Sequence, residues 1–225
     1  VSIVAARHDG AGWTVEVEGS DPVRSDELLV AAGRRPVFDV HDLDAAGVDL
    51  DERGRPVLTD TLRTTNPGIW AAGDATGDLL FTHVGNYEAG LVVDDLLGQA
   101  TARDYRVVPR VTFSDPEVAS VGLTERRARD DGHDVVSVSV PIAANERARI
   151  DGATHGLVKL VADRSTGELV GAHIVSDDAG AMIHEPVAIM VARATAGAVA
   201  RAIHAYPTRS EAVQTALLGV AEQVG

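Results

Sequence analysis

The 225-residue chain contains no cysteine. This absence excludes a disulfide framework, a thiolate metal site and a cysteine nucleophile within these residues. Basic residues are also scarce. The chain has 20 Lys and Arg but 34 Asp and Glu, which gives a formal net charge of −14 at pH 7. A surface this acidic repels phosphate, so the composition argues against a general nucleic-acid binder and against binding to an anionic membrane.

Long hydrophobic runs are missing as well. The apolar stretches are short and are interrupted by Gly, Asp or Arg, so none is long enough to span a bilayer. No basic segment precedes an apolar one near the start of the sequence, and no signal peptide is predicted. Together with the lack of cysteine, these features favour a cytoplasmic location. With 45% hydrophobic and 24% charged residues, the chain has the composition of a folded globular protein.

The first hundred residues contain patterns of both β-structure and helix. Residues 2–6 and 13–18 predict a β-hairpin, because the second segment alternates in polarity and glycines lie between them. Residues 28–32 form a continuous apolar run, which is typical of a strand buried on both faces in a parallel sheet. Another strand is predicted at residues 68–72, and a helix from about residue 86 to residue 97.

The remaining residues predict a separate α+β unit. Two apolar segments, residues 156–162 and 169–175, flank a short loop that ends at Gly167. This pattern indicates a hairpin with Gly167 at a positive φ. A helix is predicted after Thr124, whose side chain suits the N-cap position. The expected strands are 110–113, 135–140, 156–162 and 169–175, and the expected helices are 124–129, 179–194 and 210–222.

A glycine followed by an aspartate ends the strand predicted at residues 68–72. Gly73 would let the backbone approach a ligand closely. Asp74 would then present a carboxylate at the carboxyl end of the strand, where open α/β sheets bind their cofactors. Such a carboxylate could accept hydrogen bonds from ligand hydroxyls. It could equally cap the segment that follows a plain strand-to-loop turn.

Several motifs, in the same order along the chain, resemble the pyridine nucleotide-disulfide oxidoreductases, a family of flavoproteins with two dinucleotide-binding domains. Residues 28–36 read LLVAAGRRP, where the family run ends in TGRRP and Ala32 replaces the usual Thr. Residues 64–74 resemble the second FAD-binding motif, and residues 81–90 resemble the segment after the flavin carboxylate. Residues 109–125 look like the start of the family's dimerisation domain.

The resemblance implies the C-terminal half of a relative of dihydrolipoamide dehydrogenase, glutathione reductase or mercuric reductase. Residues 1–36 would end the NAD(P)-binding domain, residues 37–108 would form the C-terminal part of the FAD-binding domain, and residues 109–225 would form the dimerisation domain. The implied fold is an α/β FAD/NAD(P)-binding portion followed by an α+β domain with an antiparallel sheet flanked by helices. The FAD fingerprint, the redox-active cysteine pair and the NAD(P) fingerprint would lie upstream.

The same resemblance assigns cofactor-binding residues. Asp74, after Gly73, would hold the ribityl chain of FAD, and Phe81, Thr82 and His83 would line the flavin, partly through backbone groups. In the intact enzyme, a homodimer, NAD(P)H would reduce the flavin, and the flavin would pass electrons to a small-molecule acceptor. The chain on its own is expected to be inactive.

The segment IHAYPTRSE at residues 203–211 bears on the mechanism. Thiol-disulfide members of the family carry H-P-T-x-x-E here, where the histidine of the partner subunit is a general base and the glutamate orients it. The resemblance places Tyr206 at the histidine position and Glu211 at the glutamate position. An unperturbed tyrosine has a pKa of about 10, roughly 3.5 units further from neutrality than that of histidine. Tyr206 is therefore a poor general base but a good hydrogen-bonding group.

Three interpretations of this segment remain open. Tyr206 marks a reductase without the usual thiol chemistry, since mercuric reductases and soluble pyridine nucleotide transhydrogenases also carry Tyr here; or His204 supplies the base; or Tyr206 is only an interface aromatic. No metal site is predicted, because the eight histidines are scattered. For the whole chain, the alternatives are a stand-alone, non-catalytic dimerisation module and a dihydrolipoamide-type thiol-disulfide reductase.

Overall fold

The computed structural model describes residues 2–34, 36–38 and 42–224. The chain divides into two compact units, Val1–Thr101 and Ala102–Gly225. Among the residues described, no helix combines the length and the apolar character needed to cross a bilayer.

An antiparallel sheet of three strands opens the first unit. Its strands are β1 (Ile3–His8), β2 (Trp13–Val17) and β3 (Val23–Ser25), in the order β1-β2-β3. The carboxylate of Asp9 accepts hydrogen bonds from two backbone N–H groups of the β1–β2 turn, at 3.0 and 3.1 Å. The predicted hairpin is therefore confirmed, and a third strand extends it.

The two predicted buried strands of this unit do not form. Residues 28–32 have no regular secondary structure, and the side chains of Leu29 and Val30 are 90% and 74% exposed. In the segment 68–72, only Trp70 forms a β-bridge, with Arg63. A buried parallel strand needs parallel neighbours and a packing layer on each face, whereas the strand pairs and bridges described in this unit are antiparallel. Both strand predictions are wrong for this chain.

A long helix, α1 (Thr82–Leu96), follows the Gly-Asp turn. Its buried positions Val84, Glu88 and Leu91 recur every three or four residues and lie on one face. The helix begins one turn before the predicted start at residue 86. The reason is that Gly85, although a weak helix former, lies inside the helix where it packs against Gly73.

The second unit is built on a five-stranded antiparallel sheet. The strands are β4 (Arg110–Thr112), β5 (Glu117–Gly122), β6 (Val135–Pro141), β7 (Leu157–Asp163) and β8 (Leu169–Ser176), in the order β4-β5-β8-β7-β6. The β7–β8 hairpin is confirmed, and Gly167 at its turn has a φ of 73°. The antiparallel sheet of the expected α+β domain is thus present.

Within the described residues, the second unit also has six α-helices. They are α2 (Glu125–Asp130), α3 (Glu146–Asp151), α4 (Ala179–Met182), α5 (His184–Val191), α6 (Ala196–Val199) and α7 (Glu211–Val224). Of these, α2, α4, α5 and α7 contact the sheet. As predicted, Thr124 caps α2, since its hydroxyl accepts from the N–H of Arg127 at 3.2 Å. The single helix predicted over 179–194 is instead two helices, because Pro186 has no N–H to donate to the carbonyl of Met182.

The core of the second unit lies between the sheet and the helices α4, α5 and α7. Helix α7 packs on β6 and β7. The core side chains on α7 follow a helical period and are fully or almost fully buried; they are Ala212, Val213, Ala216, Leu217 and Val220. The loop at residues 204–209, which carries Tyr206, leads into α7.

Candidate functional site

The Gly73–Asp74 turn is fixed against α1. Residues 73–76 form one 3₁₀ turn, in which the hydroxyl of Thr76 donates to the carbonyl of Gly73 at 2.9 Å. The N–H of Gly73 donates to Oε2 of Glu88 at 2.5 Å, and the Glu88 side chain is fully buried on the inner face of α1. One hydrogen bond within the turn and another to α1 therefore hold the turn in place. Asp74, which lies in this turn, is exposed.

Glycine is required on both sides of this contact. Gly73 has a φ of 68°, in the left-handed region that favours glycine. A Cβ added to Gly85 would lie 3.2 Å from the Cα of Gly73, which is tighter than ordinary van der Waals contact. The turn and the helix are thus in contact through backbone atoms. A larger side chain at Gly73 or Gly85 would occupy the space between them.

Asp74 pairs with an arginine at the surface. Its Oδ2 accepts from Nη1 of Arg34 at 3.2 Å, and the two side chains are 55% and 71% exposed. An ion pair this exposed contributes at most about 1 kcal/mol. The carboxylate can therefore exchange this partner for ligand hydroxyls at little cost.

The three remaining residues predicted to bind the cofactor lie together at the start of α1. Phe81 is the N-cap residue, Thr82 and His83 are the first helical residues, and the rings of Phe81 and His83 stack with 5.3 Å between centroids. No side chain caps the helix and no acidic residue lies in its first turn. The helix start therefore presents the positive end of its dipole to a group with negative charge.

In the second unit, Tyr206 is 69% exposed and its hydroxyl donates a hydrogen bond to Oε2 of Glu146. Glu146 is the first residue of α3. This hydrogen bond, and then the charge of the Glu146 carboxylate, raise the pKa of Tyr206 above its ordinary value. Tyr206 is therefore a neutral phenol near neutral pH and is poorly suited to act as a general base.

Glu211 binds backbone rather than the hydroxyl of Tyr206. Its Oε2 accepts from the N–H of Thr208 at 2.9 Å, and the hydroxyl of Thr208 donates to the carbonyl of Ala205 at 2.7 Å. The two glutamates therefore have different roles at this loop. Glu211 holds the turn after Tyr206, and Glu146 holds the phenol.

His204 is held by two acceptors. Its Nε2 lies 2.8 Å from Oε1 of Glu185, and its Nδ1 lies 3.0 Å from the carbonyl oxygen of Ala202. Because both partners accept, the ring satisfies both only as the doubly protonated imidazolium. Burial of the ring works to lower the pKa of His204, but the hydrogen bonds to Glu185 and Ala202 and the nearby carboxylates outweigh it and raise the pKa. This arrangement is that of a structural cation rather than a free base.

A buried arginine fixes the other end of the loop. Arg209 is 8% exposed, and its guanidinium bonds both carboxylate oxygens of Asp177 and, at 2.9 Å, Oδ2 of Asp151. These groups line an open cleft of about 390 Å³ beside Pro207 and Thr208. The loop that carries Tyr206 is thus anchored by His204 before it and by Arg209 after it.

Several residues that shape these sites were not predicted from the sequence. Glu88 carried a signal, because it is a carboxylate on the otherwise apolar buried face of a helix. Glu146, Glu185 and Asp177 carried none, because each lies far along the chain from the residue it holds. The predicted site residues fall into two groups: five at the Gly73 turn and α1 in the first unit, and Tyr206, His204 and Glu211 around one loop of the second.

Family comparisons agree with both units. Residues 1–90 match the family described as pyridine nucleotide-disulphide oxidoreductase, and residues 108–217 match the dimerisation domain of the same family. The chain belongs to the pyridine nucleotide-disulfide oxidoreductases. The family predicted from the sequence motifs is therefore confirmed.

The similar proteins are oxidoreductases. The chain is 39% identical to a mercuric reductase from Streptomyces lividans over 94% of its own length and 46% of that protein. It is 38% identical to a dihydrolipoyl dehydrogenase from Geobacillus stearothermophilus over 91% of its length and 44% of that protein. The chain thus spans about half the length of the curated relatives it matches.

Two solved structures show the same fold. One is the HOCl-induced flavoprotein disulfide reductase RclA from Escherichia coli, with a TM-score of 0.86 and 32% identity over 96% of this chain and 50% of that one. The other is LpdA from Mycobacterium tuberculosis, with a TM-score of 0.88 and 26% identity over 97% of this chain and 48% of that one. The predicted fold class is confirmed at this level.

Proposed function

We propose that the chain is the C-terminal half of an FAD-dependent NAD(P)H oxidoreductase and supplies part of its FAD site and its homodimer interface. NAD(P)H reduces the flavin in this enzyme, and the flavin passes electrons to a small-molecule acceptor. The observation that carries the proposal is the Gly73–Asp74 turn, which Glu88 clamps against the uncapped start of α1. An exposed carboxylate near a positive helix end suits a ligand that has hydroxyls and a ring whose carbonyl edge carries partial negative charge.

Each residue of the first unit has a distinct task in this proposal. Asp74 accepts a hydrogen bond from a ribityl hydroxyl and replaces its contact with Arg34. The backbone at Thr82 and His83 would hold the flavin ring, and the stacked rings of Phe81 and His83 would exclude water beside it. When bound, FAD supplies the exchange of two electrons between NAD(P)H and the acceptor.

In the second unit, the proposal assigns Tyr206 to the acceptor side of the enzyme. A neutral phenol with a raised pKa binds and orients a ligand, whereas thiol chemistry at neutral pH needs a base near pH 7. This contrast favours a tyrosine-type reductase over a dihydrolipoamide-type thiol-disulfide reductase. The proposed domain boundaries remain residues 1–36, 37–108 and 109–225, and the cytoplasmic location remains a prediction.

Flavin binding tests the proposal most directly. The protein isolated from its own cells, at whatever length it is made there, should be yellow. Asp74→Ala should weaken FAD binding by about 10- to 100-fold, because a hydrogen bond to a charged group contributes about 1.5–3 kcal/mol. Release of FAD on dilution, followed by flavin fluorescence, gives the dissociation constant.

Asp78→Ala is the matched control for Asp74→Ala. Asp78 lies four residues after Asp74 and also pairs with an arginine, Arg55, at 2.8 Å. The control should retain FAD with unchanged affinity. Equal weakening in both variants would contradict the role of Asp74. A protein that dimerises but binds no FAD would instead favour the stand-alone dimerisation module.

A further inference from the structure

The Tyr206 hydroxyl is bound by a carboxylate that lies outside the motif of residues 203–211. Oε2 of Glu146 accepts the phenolic proton, and its Oε1 lies 3.4 Å from the guanidinium of Arg149. Glu211, the glutamate inside the motif, accepts instead from the N–H of Thr208. The two carboxylates therefore act on different atoms of the same loop.

Glu146 is held beside the loop by its neighbour in sequence. Asn145 caps α3, because its Oδ1 accepts from the N–H of Ala148 at 3.0 Å. The Nδ2 of Asn145 donates to the carbonyl of Thr208 at 2.9 Å, and the residue is only 6% exposed. The residue before Glu146 is thus tied to the residue two places after Tyr206. This link holds Glu146 close to the Tyr206 hydroxyl.

The other charged groups near Tyr206 already have strong partners. His204 bonds Glu185 and Ala202, and Arg209 bonds Asp177 and Asp151. Their pairing anchors both ends of the loop without reaching the phenol. Glu146 is therefore the group that decides where the phenolic proton points.

We propose that Glu146 is the positioning residue of Tyr206, and that it orients the phenol for the acceptor reaction, while Glu211 only clamps the backbone. A phenol that donates a hydrogen bond to a carboxylate keeps its oxygen lone pairs available to accept a hydrogen bond from a ligand. The acceptor molecule that meets Tyr206 would then approach with a hydrogen-bond donor or another electron-poor group. The catalytic meaning of this inference rests on the proposed function, but the pairing itself does not.

The titration of Tyr206 tests the pairing in the 225-residue chain without FAD or acceptor. The chain has three tyrosines, so spectra of protein labelled with ¹³C at the tyrosine ζ carbon contain few signals, and Tyr206→Phe assigns the one from Tyr206. Glu146→Gln should lower the pKa of Tyr206, because it removes the charge that opposes the phenolate. Glu146→Asp keeps the charge but shortens the reach, so it should lower the pKa less.

Glu211→Gln is the matched control, because Glu211 raises the pKa of Tyr206 only through its more distant charge. It should lower the pKa by less than Glu146→Gln does. An unchanged Tyr206 titration in Glu146→Gln, or an equal shift in Glu211→Gln, overturns the inference. Matching amide spectra of the variants and the parent protein establish that the fold is retained. A chain that shows this coupling but never binds FAD refutes the proposed function and leaves the pairing intact.

Discussion

Arg209 illustrates how burial changes the contribution of a charged residue. Its guanidinium is 8% exposed and meets Asp177 and Asp151, whereas Arg147 also bonds Asp151, at 2.8 Å, but is 48% exposed. Removing one member of a buried pair leaves its partners without their counter-charge. Because the two aspartates are themselves partly exposed, we expect Arg209→Leu to lower the free energy of unfolding by about 2 kcal/mol.

Arg147→Leu is the matched control, and we expect it to destabilise the protein clearly less than Arg209→Leu does, because exposed ion pairs contribute little to stability. Urea unfolding followed by far-UV circular dichroism measures both values. Equal losses in the two variants would mean that the buried network around Arg209 does not anchor the Tyr206 loop.

His204 gives a pH-dependent prediction at the same loop. Its pKa in the folded protein is raised, so the stability it contributes is complete below about pH 6.5, the ordinary value, and is lost as the pH rises through the folded pKa. Glu185→Gln should lower the pKa of His204 and destabilise the protein by about 1–2 kcal/mol near pH 6, but by less near pH 9.

The measurement for Glu185→Gln is a pair of urea titrations at the two pH values. In a background that carries His204→Gln, Glu185→Gln should have the same effect at both. A loss of stability that does not change with pH, with His204 present, would argue that Glu185 acts on the fold through contacts other than the imidazolium.

Sequence reasoning at this scale identified residues better than it identified their partners. Tyr206, His204 and Glu211 were found because they lie in one short motif. Glu146 and Glu185 approach that motif from other helices, 60 and 19 residues away along the chain. Only the tertiary structure brings them to the loop, through the packing of α5 on β8 and the hydrogen bond from Asn145, before α3, to Thr208, and one sequence carries no local signal of those contacts.

Gly171 lets strand β8 of the second unit pack closely against the residue that follows β5. A Cβ on Gly171, in β8, would lie 1.9 Å from the carbonyl oxygen of Leu123. A Cβ on Gly197, in α6, would meet no atom within 4 Å. We expect Gly171→Ala to destabilise the protein by about 3 kcal/mol or more, because the strand must move to relieve the overlap.

Gly197→Ala should have the opposite effect and stabilise the protein by up to about 1 kcal/mol, since alanine is the better helix former. Thermal unfolding of the two variants and the parent chain makes the comparison. A small effect of Gly171→Ala would show that β5, β8 and the loop after β5 can separate more easily than their tight packing indicates.

The elements that sequence patterns predicted correctly are those whose partners lie within this chain. The β7–β8 hairpin, the cap at Thr124 and α7 all satisfy their hydrogen bonds and bury their apolar faces locally. Residues 28–32 and 68–72 have the composition of buried parallel strands, yet among the described residues of the first unit neither segment pairs with a parallel strand, and segment 68–72 forms only the antiparallel bridge from Trp70 to Arg63. An apolar run indicates that a segment is suited to burial, but it does not show whether the residues that would cover the segment are present.

At the scale of the whole molecule, both units carry strongly exposed apolar side chains. Leu29 and Val30 lie in the first unit, on the segment predicted as a buried strand. Phe113 and Ile203 lie in the second unit, and are 82% and 101% exposed. Ile203 immediately precedes the anchored loop of Tyr206. In the proposed homodimer, a second copy covers Ile203, which lies three residues before Tyr206 in the sequence.

Association of the 225-residue chain therefore tests the proposed interface. Light scattering after size exclusion should give a mass of twice 23.5 kDa. Ile203→Asp should shift the chain to monomer, because each interface would bury a charge and lose about 1.5–3 kcal/mol of apolar contact, and a two-fold dimer contains the residue twice. Leu29→Asp introduces the same charge at a 90% exposed leucine of the first unit and should leave the dimer intact. A monomeric parent chain, or equal dissociation by both substitutions, would remove the dimer interface from residues 109–225 and with it the access of Tyr206 to a partner's flavin.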